Sequence, residues 1–384
     1  MRRICVVTTS RADYGIYRPV LREIENHPAL DLVLLITGSH LSRQFGLTVS
    51  EIERDGFDTS HRIEMLLSSD SPAGTAKSMG LGMIGCADFY ERVRPDLLVA
   101  LGDRFEMHAA VSASLPFNIP VAHIHGGELT EGAIDDALRH SITKMSHLHF
   151  PATDVYAGRI RQMGEEPWRI TVSGAPSLDN LKGFQPLDAS EIAARFNIVV
   201  DEPFLLVTYH PVTRETEQRP EKLEELLKAL STLEQRILFT YPNADAGSRE
   251  IIQRLESFAA ENPQRAQIAI SLGTQGYFSI LQSAAAMVGN SSSGIIEAAS
   301  FRLPVVNIGS RQRGRLKPPN VIDCEESAAD IEAALTQALA PNFRESLANL
   351  SNPYGDGHAA ERIVARLESV QLDQKLLQKH FQEP

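Results

Sequence analysis

Short apolar runs rich in β-branched residues recur along the chain, each followed by a longer amphipathic stretch. The first series comprises Ile4-Cys5-Val6-Val7-Thr8, Leu32-Val33-Leu34-Leu35-Ile36, Leu97-Leu98-Val99-Ala100-Leu101 and Val121-Ala122-His123-Ile124. Strands apolar on both faces belong in a parallel sheet covered on both sides, and parallel neighbours must be joined by crossover helices. A second series begins after the loop from Lys182 to Asp188 and includes Phe204-Leu205-Leu206-Val207-Thr208, Arg236-Ile237-Leu238-Phe239-Thr240, Ala266-Gln267-Ile268-Ala269-Ile270, Ala286-Met287-Val288 and Val305-Val306-Asn307-Ile308. With 384 residues, too many for one ordinary core, the chain is expected to form an α/β protein of two Rossmann-like, doubly wound domains. The expected boundaries are 1–182 and 183–357. The turn-rich Asn352-Pro353-Tyr354-Gly355-Asp356-Gly357 is then followed by a segment, 358–384, whose helix from Ala359 to Leu367 packs back toward the first domain.

The formal charge of −12 argues against a nucleic-acid surface, which needs clustered Lys and Arg. The longest apolar runs fall well short of the ~20 residues that span a bilayer. Met1-Arg2-Arg3-Ile4-Cys5 runs directly into a strand, so no signal peptide is expected and the protein is read as cytoplasmic. Three scattered cysteines, Cys5, Cys86 and Cys324, suit neither a disulfide framework nor a thiolate metal site.

In doubly wound folds ligands gather beyond the carboxyl ends of the strands, and the polar motifs fall there. Thr9-Ser10-Arg11-Ala12-Asp13 follows the first strand. It is either a capped loop, with Asp13 as cap, or the place where Arg11 clamps an anion; it lacks the G-x-G-x-x-G of a dinucleotide site. Gly102-Asp103-Arg104-Phe105-Glu106 closes the run ending at Leu101, where Asp103 either caps the next helix and pairs with Arg104 or serves as acid or base. His123-Ile124-His125-Gly126-Gly127-Glu128 and Ile134-Asp135-Asp136-Ala137-Leu138-Arg139-His140 carry the densest chemistry. If the strand continues, His123 and His125 share a face, and His147 and His149 lie close in sequence. H-x-H alone is a weak metal signal, and hydrogen-bonded core histidines are the plainer reading.

In the second half, His210 follows a strand that Pro211 terminates, and it is either an exposed terminus or a donor to phosphate. Asn243 and Asp245 sit in an ordinary turn composition. Gly289-Asn290-Ser291-Ser292-Ser293-Gly294 leads into a helix-like stretch, where free N–H groups, hydroxyls and a helix dipole favour a phosphate; Glu297, a turn further on, is placed to accept from ribose hydroxyls. Arg311 opens a basic run in the same half.

Taken together, SRADYG, GDRFE, HIHGGE, IDDALRHSITKMSHLH, HPVT, PNADAGS, GNSSSGIIE, RQRGR and NPYGDGHA resemble the UDP-N-acetylglucosamine 2-epimerase family, and specifically its hydrolysing branch, which feeds sialic acid and related nonulosonic acid synthesis. The resemblance runs from Arg11 to Gly357. It implies a GT-B arrangement with the nucleotide sugar in an interdomain cleft, a homo-oligomer (dimer or tetramer), and elimination of UDP to a glycal followed by hydration, yielding N-acetylmannosamine without metal, nicotinamide or other cofactor. By the same resemblance Arg11, His210, Ser291 and Ser292 hold the diphosphate with Arg104 and Arg311 in support, Glu297 takes the ribose, and Asn243 and Asp245 line the nucleotide. Asp103, Glu128, Asp135 and Asp136 supply acid and base. His125 stands where the non-hydrolysing branch has glutamate, which leaves the group that removes the C2 proton open.

Three other readings remain: a 2-epimerase acting on UDP-2,4-diacetamido-2,4,6-trideoxyglucose, a GT-B glycosyltransferase, and a nucleotide-sugar sensor. The carboxylates from Asp103 to Asp136 favour chemistry on the sugar itself.

Overall fold

The computed structural model describes residues 1–69, 71–130, 134–211, 220–242 and 248–383. Each half of the chain winds into a six-stranded parallel sheet. The first comprises β1 (Arg2–Thr8), β2 (Leu30–Thr37), β3 (His61–Ile63), β4 (Leu97–Leu101), β5 (Val121–Ile124) and β6 (Leu148–Phe150), in the order β3-β2-β1-β4-β5-β6. The second comprises β7 (Phe204–Thr208), β8 (Arg236–Thr240), β9 (Ala266–Ala269), β10 (Ala286–Gly289), β11 (Val305–Ile308) and β12 (Val321–Cys324), in the order β12-β11-β10-β7-β8-β9. Read from their first strands the two orders are the same, and each reverses once, between β1 and β4 and between β7 and β10. At such a switch point neighbouring crossovers diverge and leave a crevice at the strand ends.

Three strands lay outside the sequence expectation: β3, β6 and β12. All are edge strands of three or four residues. Too short to show a period, they exist because a neighbour offers its ladder, as Leu35 to Thr37 do for His61 to Ile63.

Alternation along β1 divides the first core. Ile4 and Val6 face the helix Arg11–Glu25 through Tyr17, Leu21 and Ile24, and share that layer with Ile363, Val364 and Leu367 of the helix Ala359–Ser369. Cys5 and Val7 face Phe89 and Tyr90 of the helix Pro72–Val93, with Met107 and Val111 of the helix Phe105–Ser114. Each such side chain contributes roughly 1.5–3 kcal/mol by leaving water.

By internal contacts the chain divides into one unit of Met1–Glu128, Ile134–Lys182 and Tyr354–Pro384 and another built on Gly183–Pro353. Within the first unit the returning segment is held by specific bonds. The Tyr354 hydroxyl meets that of Tyr156 at 2.6 Å, and both oxygens of Asp179 accept from the first N–H groups of the helix, Ala359 at 2.9 Å and Ala360 at 2.6 Å. The buried guanidinium of Arg169 donates to the carbonyls of Lys375, Leu376 and Gln378, closing the end of the helix Gln374–Leu377. Cys5 and Cys86 are buried and all three thiols are free. Among the described residues no helix is long and apolar enough to cross a membrane.

Candidate functional site

Beyond β4 and β5 the chain makes two tight turns. Gly102, at φ +72°, directs its carbonyl toward His123 Nε2 at 2.8 Å, while His123 Nδ1 lies 3.1 Å from the Thr143 hydroxyl. Burial pushes the His123 pKa down to about 3, so this imidazole is a neutral core spacer. His125 does not share its face. It lies past the end of β5 in the left-handed region at φ +62°, where the period-two alternation stops. The reversal continues through Gly127 at φ +77°, where a Cβ would sit 2.5 Å from the Tyr156 carbonyl, and it returns Glu128 to His125, with Oε1 2.5 Å from Nδ1.

Into this turn reaches Arg139 from the helix Ile134–Met145. Its Nη1 donates to Glu128 Oε2 at 3.1 Å and to the His125 carbonyl at 3.4 Å, and its Nη2 donates to the Asp103 carboxylate. The side chains of Arg139, Glu128 and Asp103 are 4%, 2% and 18% exposed. Burial by itself lowers the Arg139 pKa, but the two carboxylates outweigh it and hold the guanidinium charged. Arg139 stands inside the motif from Ile134 to His140, where the sequence assigns it no role. The signal was there: Arg139, Ile142 and Thr143 form the buried stripe of an amphipathic helix, and an arginine on such a stripe needs buried acids.

The Asp103 carboxylate thus accepts from Arg139, and the cap position of the following helix belongs to Arg104. Arg104 occupies the cap position and forms a two-pronged bond to the buried Glu106, at 3.2 and 3.1 Å. Asp135 and Asp136 lie in the first turn of Ile134–Met145, with Asp136 3.7 Å from His140. Ser10, not Asp13, caps the helix Arg11–Glu25. Asp13 is buried against Thr9, and burial raises its pKa although Arg104 opposes the shift. Arg11, half-exposed at the start of that helix, lies 3.7 Å from Glu51. The two remaining histidines serve β6 and its surroundings: His147 Nδ1 accepts from the Val121 N–H at 3.1 Å, and His149 lies 3.0 Å from Glu165, which also receives Lys144 and Lys379. No group of three or more metal-ligating side chains occurs among the described residues.

In the second unit the organising residue is Asn290, directly after β10. Its carboxamide accepts from the His210 N–H at 2.7 Å and donates to the His210 carbonyl at 2.8 Å, and its own carbonyl accepts from Arg311 at 3.0 Å and Gln312 at 2.8 Å. His210 and Arg311 thus meet at one backbone segment, and burial, with Arg311 adding to it, pushes the His210 pKa down to about 3. Gly289 permits this approach: at φ +133° a Cβ there would lie 1.9 Å from the Thr208 carbonyl. Ser291 accepts from the Ser293 N–H at 3.3 Å, and the Ser293 hydroxyl accepts from Tyr277 at 2.8 Å.

The expected helix is a single turn, Ser293–Ile296, with Glu297 as its terminal cap before a 3-10 turn at Ala298–Phe301. Four residues align few peptide dipoles, so the electrostatic case for a phosphate rests on Arg311, His210 and the serine hydroxyls more than on a macrodipole. Asn352 closes this turn by donating to the Ile296 carbonyl at 2.7 Å. Asn243 and Asp245 lie outside the described residues.

A family model described as UDP-N-acetylglucosamine 2-epimerase matches residues 22–368. The chain is 39% identical over 382 residues to a GDP/UDP-N,N'-diacetylbacillosamine 2-epimerase (hydrolyzing) of Campylobacter jejuni, covering 99% of this chain and 98% of that one. It is 36% identical to a UDP-N,N'-diacetylbacillosamine 2-epimerase (hydrolyzing) of Legionella pneumophila, covering 99% of each. The crystal structure of a UDP-GlcNAc 2-epimerase from Neisseria meningitidis bound to UDP-GlcNAc matches with a TM-score of 0.82 at 18% identity, covering 96% of this chain and all of that one. That structural likeness bears on the fold alone: two Rossmann-like domains of the GT-B type.

Proposed function

The chain belongs to the UDP-N-acetylglucosamine 2-epimerase family, and from that premise we propose that it is a hydrolysing 2-epimerase of a UDP-linked 2-acetamido sugar. In the reaction a base takes the C2 proton, the C1–O bond breaks with its electron pair going to departing UDP, and a C1=C2 double bond forms. Water then adds, hydroxyl to C1 and proton to the opposite face of C2, releasing the free 2-epimer.

The observation that carries this reading is the cluster of Asp103, Glu128, His125 and Arg139 beyond β4 and β5. It puts proton-accepting groups where a doubly wound sheet binds ligands. Asp135 and Asp136, one helix turn from Arg139, are further candidates for proton transfer. On the nucleotide side His210, Ser291, Ser292 and Arg311 are assigned to the diphosphate, with Arg11 and Arg104 contributing, Glu297 to the ribose, and Asn243 and Asp245 to the nucleotide. Donors fixed before reaction stabilise a leaving diphosphate more in the transition state than in the ground state.

The names of the two relatives at 39% and 36% identity favour UDP-N,N'-diacetylbacillosamine as substrate. UDP-N-acetylglucosamine, the first expectation from the sequence, is the second candidate. Incubating the protein with each nucleotide sugar and no acceptor decides between them. Free UDP with the 2-epimer from one donor identifies the substrate; no UDP from either sinks the epimerase reading and leaves the glycosyltransferase and the sensor. The proposal includes a cytoplasmic protein and a homo-oligomer; the latter is supported by Leu81 and Ile84, exposed apolar side chains three positions apart on the helix Pro72–Val93.

A further inference from the structure

We propose that Arg139 is the positioning residue of the sugar chemistry: one buried guanidinium holds Asp103 and Glu128 together, so that both begin each cycle as proton acceptors. This rests on the elimination and hydration proposed above and adds to it a residue and a protonation state.

The geometry is that of a fork. One prong serves Glu128 and the His125 carbonyl and the other serves Asp103, so a single side chain ties together the turn after β4, the turn after β5 and the helix Ile134–Met145. Two carboxylates brought together in a buried site without a cation repel, and one of them takes up a proton. Placing a guanidinium between them removes that reason. The fork matters as much as the charge, because a planar guanidinium serves two carboxylates at fixed angles, whereas an ammonium is a point charge on a flexible stem.

Glu128 carries a second partner. His125 Nδ1 lies 2.5 Å from its other oxygen, so any proton that Glu128 accepts has a neighbouring imidazole to pass to. Besides Asp103 and Glu128, the titratable groups coupled to Arg139 include His123 and His140, and its Nη1 donates to the His125 carbonyl. Arg139 itself is buried, and its role is to fix the carboxylates; contact with the sugar is theirs.

The test uses the full chain carrying Arg139→Lys or Arg139→Gln, with three readouts. UDP affinity by calorimetry is expected to stay within about threefold of the parent, since the main diphosphate residues, His210, Ser291, Ser292 and Arg311, belong to the other unit. The kcat is expected to fall by about 100-fold or more, the scale of a misplaced general base, with KM little changed. The acid limb of the kcat–pH profile is expected to move to higher pH in Arg139→Lys, because a carboxylate released from the guanidinium takes up its proton more readily. A parent-like kcat, or a loss carried wholly by KM with the acid limb unmoved, overturns the inference.

Should neither variant fold, carboxyl carbon-13 titration of the parent decides: Asp103 and Glu128 are expected to remain ionised at pH 5, about one unit above ordinary carboxylate pKa values, and protonation of either at that pH overturns the inference. A parent that releases no UDP from any UDP-sugar sinks the function instead and leaves this titration standing as the test of the carboxylate pair.

Discussion

The side chain of Asn290 reads the backbone of His210 from both sides, accepting its N–H at 2.7 Å and donating to its carbonyl at 2.8 Å. This pair of bonds carries on past the β7–β10 ladder, which ends at Thr208 and Gly289, and fixes where His210 stands. Removing the carboxamide takes both bonds from this buried backbone segment.

Asn290→Ala is therefore expected to destabilise the protein by about 2–4 kcal/mol, since each unsatisfied buried group costs roughly 1–3 kcal/mol. It is also expected to weaken UDP binding by more than Ser292→Ala does, because it displaces His210 and frees the segment that Arg311 holds. Chemical denaturation and calorimetry with UDP check this; a variant with parent stability and parent UDP affinity contradicts it.

Burial pushes the pKa of His123 and His210 down to about 3 and of His40 and His147 down to about 4. The unfolded chain protonates these rings near pH 6.5 while the folded chain keeps them neutral, so between about pH 6.5 and pH 4 the unfolded state binds more protons and stability falls as pH falls. Asp13 and Asp179, whose pKa values burial raises, offset part of that loss. The sharper measurement is proton NMR of the imidazole rings: these four are expected to remain neutral at pH 5, and a ring that titrates near 6.5 refutes its assignment. In the ligand-free protein His210 is then a neutral ring, and comparing UDP affinity with pH in the parent and in His210→Gln reads whether the diphosphate charges it.

Gly289→Ala should be among the most damaging single-methyl changes in the chain. Its Cβ would lie 1.9 Å from the Thr208 carbonyl at a φ of +133°, and neither backbone moves without opening the β7–β10 ladder. A loss of about 4 kcal/mol or more, or failure to accumulate as folded protein, is expected by denaturant titration. Gly15→Ala, with nothing within 4 Å of the added methyl, is the neutral control.

Ile84, 65% exposed and three positions after the exposed Leu81 on the same helix, is expected to lie in a contact between copies of the chain. Light scattering of the parent should give a dimer or tetramer, and Ile84→Glu a smaller species at equal concentration. A monomeric parent, or a variant of unchanged mass, refutes that assignment.

Much of the architecture was legible because it is written locally. A run such as Leu97 to Leu101 is apolar on both faces whatever surrounds it, and no other element accommodates it as well as a central parallel strand. Motifs such as GDRFE and HIHGGE follow those runs directly, so their placement at the carboxyl ends came with the strands. The edge strands did not: His61 to Ile63 carry no period and pair because Leu35 to Thr37 are there to be paired.

What the chain alone settled was the order of the nine apolar strands and the kinds of side chain carried at their ends, since those depend on residues adjacent along the backbone. Folding in three dimensions decided the partners. Asp103 met Arg139, 36 positions away, and His125 left the face of His123 because a left-handed residue ended the alternation. The physical reason is the cost of burial: a charge withdrawn from water must find its counter-charge in space, and that choice has no signature in local order.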